Sequence, residues 1–232
     1  NAFVAALKND GTVWTWGYNS SGQLGDGTNV NKNLPVQVDI QNVKDIYVHD
    51  SSVLALKNDG TLWGWGYNEN GELGNGKTTN QKSPVQVNIS NVSNVFMGGK
   101  RTFAIKTDGT VWAWGYNGSG RLGDGTSTDR YQPVQISINN VKAIYPMDTF
   151  TIALKNDGTV WAWGINSSGQ LGIGSTSGKE TPTQSNITNV KELYVHNNSV
   201  LALKNDGSLW AWGSNWGGQV GDGTKNDTSV PV

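Results

Sequence analysis

The two histidines are the side chains of this sequence best suited to acid–base chemistry or metal binding near neutral pH. His49 and His196 are separated by 147 residues, and no repeated carboxylate accompanies them. Zinc sites use three or four protein ligands, so two imidazoles alone indicate a weak site. They could line a channel together, but we interpret both as variable loop residues. The sequence therefore predicts no resident metal and no cofactor.

Serine, aspartate and cysteine provide no catalytic site either. Neither histidine lies in a local signature of a Ser-His-Asp triad. The chain has no cysteine, which excludes disulfides, zinc thiolates and cysteine nucleophiles. One aspartate recurs at the same position of a repeated turn, as Asp10, Asp59, Asp108, Asp157 and Asp206. Such regular recurrence is typical of a structural role, so we predict no catalytic residues and no enzyme.

Three Gly-Asp-Gly-Thr segments resemble ion-binding loops at first sight. They begin at Gly25, Gly123 and Gly221. They lack the Lys-Ser/Thr pair that ends a phosphate loop and the alternating acids of a calcium loop. We interpret them as turns in which Asp and Thr cap backbone amides.

Charge and hydropathy restrict the classes of partner. The chain has 17 basic and 18 acidic side chains and a formal net charge of -1. Without a positive field the sequence predicts no nucleic-acid partner, and no apolar run is long enough for membrane insertion. Because a chain without cysteine needs no particular redox environment, we expect a soluble protein that is secreted or exposed at the surface of a bacterium.

The aspartate turns belong to a repeat of 49 residues that organises the whole sequence. Its five units are anchored at Leu7, Leu56, Ile105, Leu154 and Leu203, each followed by Lys, then Asn or Thr, then Asp-Gly. Self-similarity at this period is typical of propellers and solenoids. We therefore treat residues 1–232 as a single repeat domain.

Each unit contains four short segments with the pattern of β-strands. In the second unit these are Val43–Val48, Val53–Lys57, Thr61–Gly66 and Pro84–Val87. The Asp-Gly between the second and third segments predicts a tight hairpin. Four-stranded antiparallel sheets at this period are typical of propeller blades. A proline recurs in the fourth segment of each unit, as Pro35, Pro84, Pro133, Pro182 and Pro231, and predicts that this segment is the outermost strand and that the proline is its first residue.

Paired tryptophans support this fold. Two tryptophans separated by one residue occur in the third strand of every unit, as in Trp63 and Trp65, so both lie on one face of the sheet. Ten such residues could stack on sugars or bases. Because they recur at a fixed strand position, we interpret them as the core between neighbouring blades; Trp216 lies outside this register.

The pattern Trp-Gly-x-Asn-x-x-Gly-x-Leu-Gly-x-Gly, which spans Trp16 to Gly27, recurs from Trp65, Trp114 and Trp163 and, with Val220 in place of leucine, from Trp212. Together with the preceding Asp-Gly-x-Val-Trp and the following Pro-Val, it resembles the repeat of the regulator of chromosome condensation (RCC1-like) family. The resemblance covers the whole chain and implies a β-propeller, with seven blades in a typical member. Functions in that family include nucleotide exchange on a small GTPase, chromatin contact and, in a bacterial relative, inhibition of β-lactamases.

The family's Gly-x-x-His before the second strand is absent here; Gly98–Arg101 keeps only part of it, and no segment matches a nucleotide-exchange wedge. We therefore do not transfer the exchange activity. The fold prediction is an all-β propeller of four-stranded antiparallel blades that is incomplete with five repeats. We expect the chain to be a fragment of a longer repeat array; the alternatives are a five-bladed ring with one incomplete blade and an open arc.

Variation between units is concentrated in two loops, which is where a specific partner would bind. One precedes the edge proline, for example residues 29–33, 77–82 and 127–132. The other joins the first two strands and supplies the candidate binding face: His49, Asp50, Lys100, Arg101, Met147, Asp148, Phe150, His196 and Asn197. An alternative aromatic face comprises Tyr18, Tyr67, Tyr116 and Trp216.

These two faces lead to different functional hypotheses. The first is a non-catalytic scaffold that binds another protein through loops on one face. The second is a carbohydrate-binding module at a cell surface, in which the aromatic face stacks on a glycan. A third is a structural repeat module of a larger surface protein, in which variation of the loops reflects relaxed constraint.

Overall fold

The computed structural model describes residues 2–232, and this part of the chain is all-β. It forms eighteen strands and one short 3₁₀ helix, Gly118–Gly120. The strands of the first two repeats are β1 Phe3–Leu7, β2 Val13–Gly17, β3 Lys32–Gln37, β4 Val43–His49, β5 Ser52–Lys57, β6 Leu62–Gly66 and β7 Gln81–Gln86.

The same pattern continues through the remaining repeats. The third and fourth contain β8 Val92–Gly98, β9 Arg101–Lys106, β10 Thr110–Gly115, β11 Arg130–Asn139, β12 Val141–Pro146, β13 Phe150–Lys155, β14 Val160–Gly164 and β15 Lys179–Gln184. The fifth contains β16 Val190–His196, β17 Ser199–Lys204 and β18 Leu209–Gly213.

The strands form five antiparallel sheets in which neighbours in sequence are neighbours in space. Three sheets have four strands, in the orders β4-β5-β6-β7, β8-β9-β10-β11 and β12-β13-β14-β15. The sheets β1-β2-β3 and β16-β17-β18 have three. In the fifth repeat, Ala211 and Val232 exchange two backbone hydrogen bonds of 2.9 and 3.0 Å beyond the named strands. The predicted all-β fold of repeated antiparallel sheets is therefore confirmed.

Four of the recurring prolines, Pro35, Pro84, Pro133 and Pro182, lie on edge strands, but the prediction that each begins its strand is wrong. Pro84 is the fourth residue of β7, which starts at Gln81. Pairing with β6 joins Gly66 to Gln81 and Gly64 to Val85, with a register shift between them. Because this irregular stretch needs no donor from residue 84, proline is tolerated inside the strand.

The Asp-Gly segments form tight turns, as predicted. In the second repeat Gly60 has φ +78°, a conformation that glycine adopts without steric cost. Oδ1 of Asp59 accepts hydrogen bonds from the backbone N–H and the hydroxyl of Thr61, at 2.9 and 2.6 Å. These bonds from Thr61 lower the pKa of Asp59 below its usual range. The Gly-Asp-Gly-Thr segment uses the same device, since Asp26 accepts from the N–H and hydroxyl of Thr28.

The second tryptophan of each pair forms the core between consecutive sheets. Trp65 is fully buried in a cluster with Val13, Val38 and Val53. Its indole N–H donates to the carbonyl of Gln23 in the preceding repeat, at 3.1 Å. The first tryptophan, Trp63, is only half-buried and packs at the margin of this cluster. The predicted core role is therefore fulfilled mainly by the second member.

A buried asparagine holds the long connection between the third and fourth strands. Asn68 donates from Nδ2 to the carbonyls of Lys77 and Thr79, at 2.9 and 3.2 Å, and accepts from the N–H of Leu73 at 2.9 Å. Each repeat has this residue: Asn19, Asn68, Asn117, Asn166 and Asn215. One side chain thereby satisfies backbone groups that a strand ladder would otherwise pair.

The chain divides into two compact units. The first contains the residues up to Asp108, with Trp114–Tyr116 and Asp129–Val134. The second contains Gly109–Ala113, Asn117–Thr128 and Gln135–Val232. Each has an apolar core between successive sheets: the cluster around Trp65 in the first, and a cluster around Trp212 in the second.

Candidate functional site

The connection between the first and second strands of a repeat is a turn of about two residues. Between β4 and β5 only Asp50 and Ser51 lie outside the strands, since His49 pairs with Ser52. Between β8 and β9 the turn is Gly99-Lys100, with φ of +53° and +65°. Turns with positive φ match the twist of a hairpin. The loop between the first two strands is therefore shorter than predicted, since His49, Arg101, Phe150 and His196 belong to strands.

The prediction that Phe150 is presented on the loop face is wrong. Phe150 is the first residue of β13, with no exposed surface, and it belongs to the core cluster of the second unit. Met147 packs against the same cluster. Arg101 starts β9 and is only 1% exposed, and its Nη1 donates to the carbonyl of Gly99 at 2.8 Å. Phe150 and Arg101 occupy the same position of the repeat, at the start of the second strand. A side chain at this position points between sheets, so the aromatic ring of Phe150 is buried.

Four predicted residues converge in the first unit. His49, Asp50, Lys100 and Arg101 line a cavity of about 220 Å³ together with Ser51, Ser52, Tyr67, Glu72 and Met97. His49 Nδ1 lies 3.5 Å from Oδ2 of Asp50. Asp50 and Lys100 are exposed at the rim. The cavity thus has charged groups at its rim and Met97 and Tyr67 in its wall.

Glu72 is the member of this cavity that the sequence analysis missed. It is buried, and desolvation raises the pKa of its carboxyl above the usual value, although backbone hydrogen bonds and Lys100 act in the opposite direction. Its Oε2 accepts from the N–H of Asn70 at 2.9 Å. Glutamine makes the same contact at equivalent positions, for example Gln170 with Ser168 N–H. Replacement of glutamine by glutamate at a repeated position is the signal that would have identified it.

Two further predicted residues lie in a larger cavity of the second unit. His196 and Asn197 line about 760 Å³ with Tyr145, Leu201, Trp216 and Val220. Trp216 is 79% exposed. In repeat position this cavity corresponds to the first, because His196, Asn197 and Gln219 replace His49, Asp50 and Glu72.

The aromatic face is divided between these cavities. Tyr67 lies in the first and donates from its hydroxyl to Oε2 of Glu69 at 3.1 Å. Trp216 lies in the second, and Tyr18 and Tyr116 are half-buried and line neither cavity. Asp148 is exposed and lines neither. Each cavity therefore combines part of the predicted loop face with part of the predicted aromatic face.

Within residues 2–232, no group of three or more histidine, cysteine, aspartate or glutamate side chains is placed to hold a metal ion. In the same range, no helix has the length and apolar character required to cross a bilayer.

Comparison with known structures shows the fold. The chain is similar to human WBSCR16, with 23% identity and a TM-score of 0.79 over 100% of this chain and 64% of that protein. It is similar to Prp20p from Saccharomyces cerevisiae, whose structure is described with its binding to Gsp1p and histones, with 20% identity, a TM-score of 0.78 and coverage of 99% and 60%. It is also similar to Prp20 (yeast RCC1) bound to Kap60, with 19% identity, a TM-score of 0.77 and coverage of 99% and 58%.

The chain therefore spans about three fifths of the length of these solved structures. No curated protein sequence matches it. At these identities the likeness shows an RCC1-like β-propeller fold. The partners of those proteins are not assigned to this chain. The sequence profile of the RCC1-like domain matches residues 1–232. The predicted family is confirmed: the chain belongs to the RCC1-like domain family.

Proposed function

We propose that this chain is a non-catalytic scaffold that binds another protein at the cavity lined by His49, Asp50, Lys100 and Glu72. The observation that carries the proposal is the convergence of these side chains around one opening. Lys100 and Glu72 differ from their counterparts in every other repeat, whereas His49 and Asp50 recur once each, as His196 and Asp148. In an otherwise regular array, variable side chains gathered on a rigid framework are suited to specific recognition. Prp20p, with the same fold, is described as binding Gsp1p and histones.

The size of the cavity favours a protein partner over a free small molecule. Pockets for small ligands usually have volumes of about 300–1,000 Å³. A cavity of about 220 Å³ accommodates one large side chain. The rim offers Asp50 and Lys100 for opposite charges, and Met97 contributes a flexible apolar wall suited to adaptable contact. We therefore expect a partner that inserts one side chain and pairs charges around it.

The test is affinity capture with two matched triple variants. His49→Ala, Asp50→Ala and Lys100→Ala together remove the rim and leave the buried Arg101 in place. The control, Asp39→Ala, Lys44→Ala and Asn58→Ala, changes exposed residues near the opposite ends of the same strands. Because both triple variants remove one acidic and one basic side chain, nonspecific electrostatic effects are matched.

We expect a partner to be retained by the native chain and the control and lost with the rim variant, with circular dichroism unchanged. Retention by the rim variant would overturn this site. Capture of no partner by any form would favour a structural repeat module. A location outside a bacterial cell remains a prediction, as does the treatment of residues 1–232 as one domain.

Carbohydrate binding is the second candidate, and the exposure of Trp216 favours it. An indole that is 79% exposed beside a cavity of about 760 Å³, with Tyr194 also exposed, offers a flat apolar surface of the kind that stacks on a sugar ring. The difference in fluorescence between the native chain and Trp216→Phe isolates this residue from the other ten tryptophans. A glycan that changes the native signal and not the variant signal would support this function, and a flat response would exclude it.

A further inference from the structure

Glu72 is a buried carboxylate in the wall of the cavity in the first unit, and no cation is paired with it. The residue is only 4% exposed and lines the cavity of about 220 Å³. Within residues 2–232, no lysine, arginine or histidine nitrogen forms an ion pair with its carboxylate. A buried charge is costly unless an opposite charge compensates it. The cavity wall therefore holds a negative charge whose counter-ion is not supplied by the described chain.

The preceding repeat shows what the charged group replaces. Gln23 occupies the equivalent position, and its Nε2 donates to Oγ of Ser51 in the turn of the next repeat, at 3.3 Å. Its Oε1 accepts from the backbone N–H of Ser21, as Oε2 of Glu72 accepts from Asn70. The remaining atom is thus a donor in Gln23 and an acceptor in Glu72. A ligand at this atom of Glu72 must bring the hydrogen.

The two oxygens of Glu72 are not equally available. Oε2 accepts from the N–H of Asn70 at 2.9 Å, whereas the contact of Oε1 with Nδ2 of Asn70 is 3.5 Å, beyond the usual length of such a bond. A guanidinium binds both oxygens of a carboxylate in a fork. An ammonium is a compact point charge and needs only one. The single available oxygen therefore favours an ammonium group.

The rest of the cavity suits the stem of a lysine side chain. Met97 and Tyr67 line it, and both are partly buried. The hydroxyl of Tyr67 donates to Glu69, so the aromatic ring is the part of Tyr67 offered to a ligand. Methylene stems pack on apolar surface, and an aromatic ring also attracts a cation. Asp50 adds a second negative charge at the rim.

The basic residues that line the cavity do not neutralise Glu72. Lys100 is exposed at the rim, where solvent screens its charge. Burial raises the pKa of Glu72 above its usual value even though Lys100 acts in the opposite direction. Nη1 of Arg101 donates to the carbonyl of Gly99 at 2.8 Å and forms no ion pair with Glu72. The carboxylate therefore remains the uncompensated group of the wall.

We propose that this cavity selects a lysine side chain of the partner, whose ammonium donates to Oε1 of Glu72 while its stem packs on Met97 and Tyr67. The inference rests on the proposed protein-binding function and specifies the chemistry of the partner. An uncharged side chain of the same length would leave Glu72 without a counter-ion, so discrimination follows from the charge.

Nuclear magnetic resonance titration of the 232-residue chain with two matched probes tests the proposal. N-acetyl-lysine N-methylamide carries the ammonium, and N-acetyl-norleucine N-methylamide has the same carbon stem without it. We expect the lysine probe to shift the backbone amides of Asn70 and Lys100 and to bind about tenfold more tightly than the norleucine probe, as one hydrogen bond to a charged group provides.

Two variants with the same change in net charge isolate the carboxylate. Glu72→Gln introduces the residue that three other repeats accommodate, and it should bind both probes equally. Asp39→Asn removes an exposed carboxylate outside the cavity and should keep the preference for lysine. A preference that persists in Glu72→Gln would overturn the proposal, as would equal binding of the two probes by the native chain. An arginine probe that binds as tightly as the lysine probe would contradict the selection of an ammonium.

Failure of this inference is distinguishable from failure of the proposed function. If the rim variant loses a captured partner while the native chain shows no preference for the lysine probe, the binding site stands and the selection of lysine is wrong. If the lysine probe is preferred and no partner is captured, the chemistry of the cavity is supported and the protein-binding function is not.

Discussion

At the scale of the residue, Glu72 places a carboxylate where three other repeats place the neutral amides of Gln23, Gln170 and Gln219. The side-chain oxygen accepts the same backbone hydrogen bond in each case, so geometry does not require a charge. Burial raises the pKa of Glu72 above its usual value. The ionised form is therefore held at a cost to stability, of a kind often found at binding sites.

Glu72→Gln is expected to stabilise the chain at neutral pH by on the order of 1 kcal/mol, the scale of one desolvated polar group. Because the folded pKa exceeds the unfolded pKa, the destabilisation by Glu72 is complete above the folded pKa and disappears below the unfolded pKa. The gain should therefore be present at pH 7 and be lost in acid. Urea unfolding of both forms at both pH values measures it, with the exposed Glu69→Gln as the control. An equal gain at both pH values would contradict the assignment.

At the scale of the element, the buried asparagine of each repeat determines the path of the connection between the third and fourth strands. Asn68→Ala would leave the carbonyls of Lys77 and Thr79 and the N–H of Leu73 without this partner. We expect the free energy of unfolding to fall by about 3 kcal/mol, since each buried unsatisfied group costs about 1–3 kcal/mol and water reaches part of the connection. Denaturant unfolding measures the loss. The exposed Asn58→Ala should change stability little, and a comparable loss there would refute the role of burial.

The junction between sheets gives a second prediction at this scale. Gly172→Ala and Gly221→Ala both place a methyl group at positive φ, which costs about 1–2 kcal/mol. Only at Gly172 does the methyl meet an indole, 2.7 Å away. Overpacking there should cost about 1–3 kcal/mol more. Denaturant unfolding compares the two variants; equal losses would show that the contact of Gly172 with Trp212 tolerates the methyl group.

Periodicity explains which elements could be predicted from the sequence. Trp65 and Asp59 recur in every repeat, and a residue that recurs at a fixed strand position must satisfy the same contact each time. Phe150 and Arg101 vary between repeats, and variation alone does not separate a rim position from one that points between sheets. Their burial follows from a hairpin turn two residues long, which makes each the first residue of a strand. The sequence shows that Glu72 replaces the glutamine found in three other repeats. That Glu72 and Lys100 line one cavity could be learned only from the structure.

At the scale of the whole molecule, consecutive repeats bury apolar faces on one another. Nearest-neighbour stacking supplies much of the stability of repeat proteins. The second, third and fourth repeats have a neighbour on both sides within residues 2–232, so each is expected to owe part of its stability to two junctions.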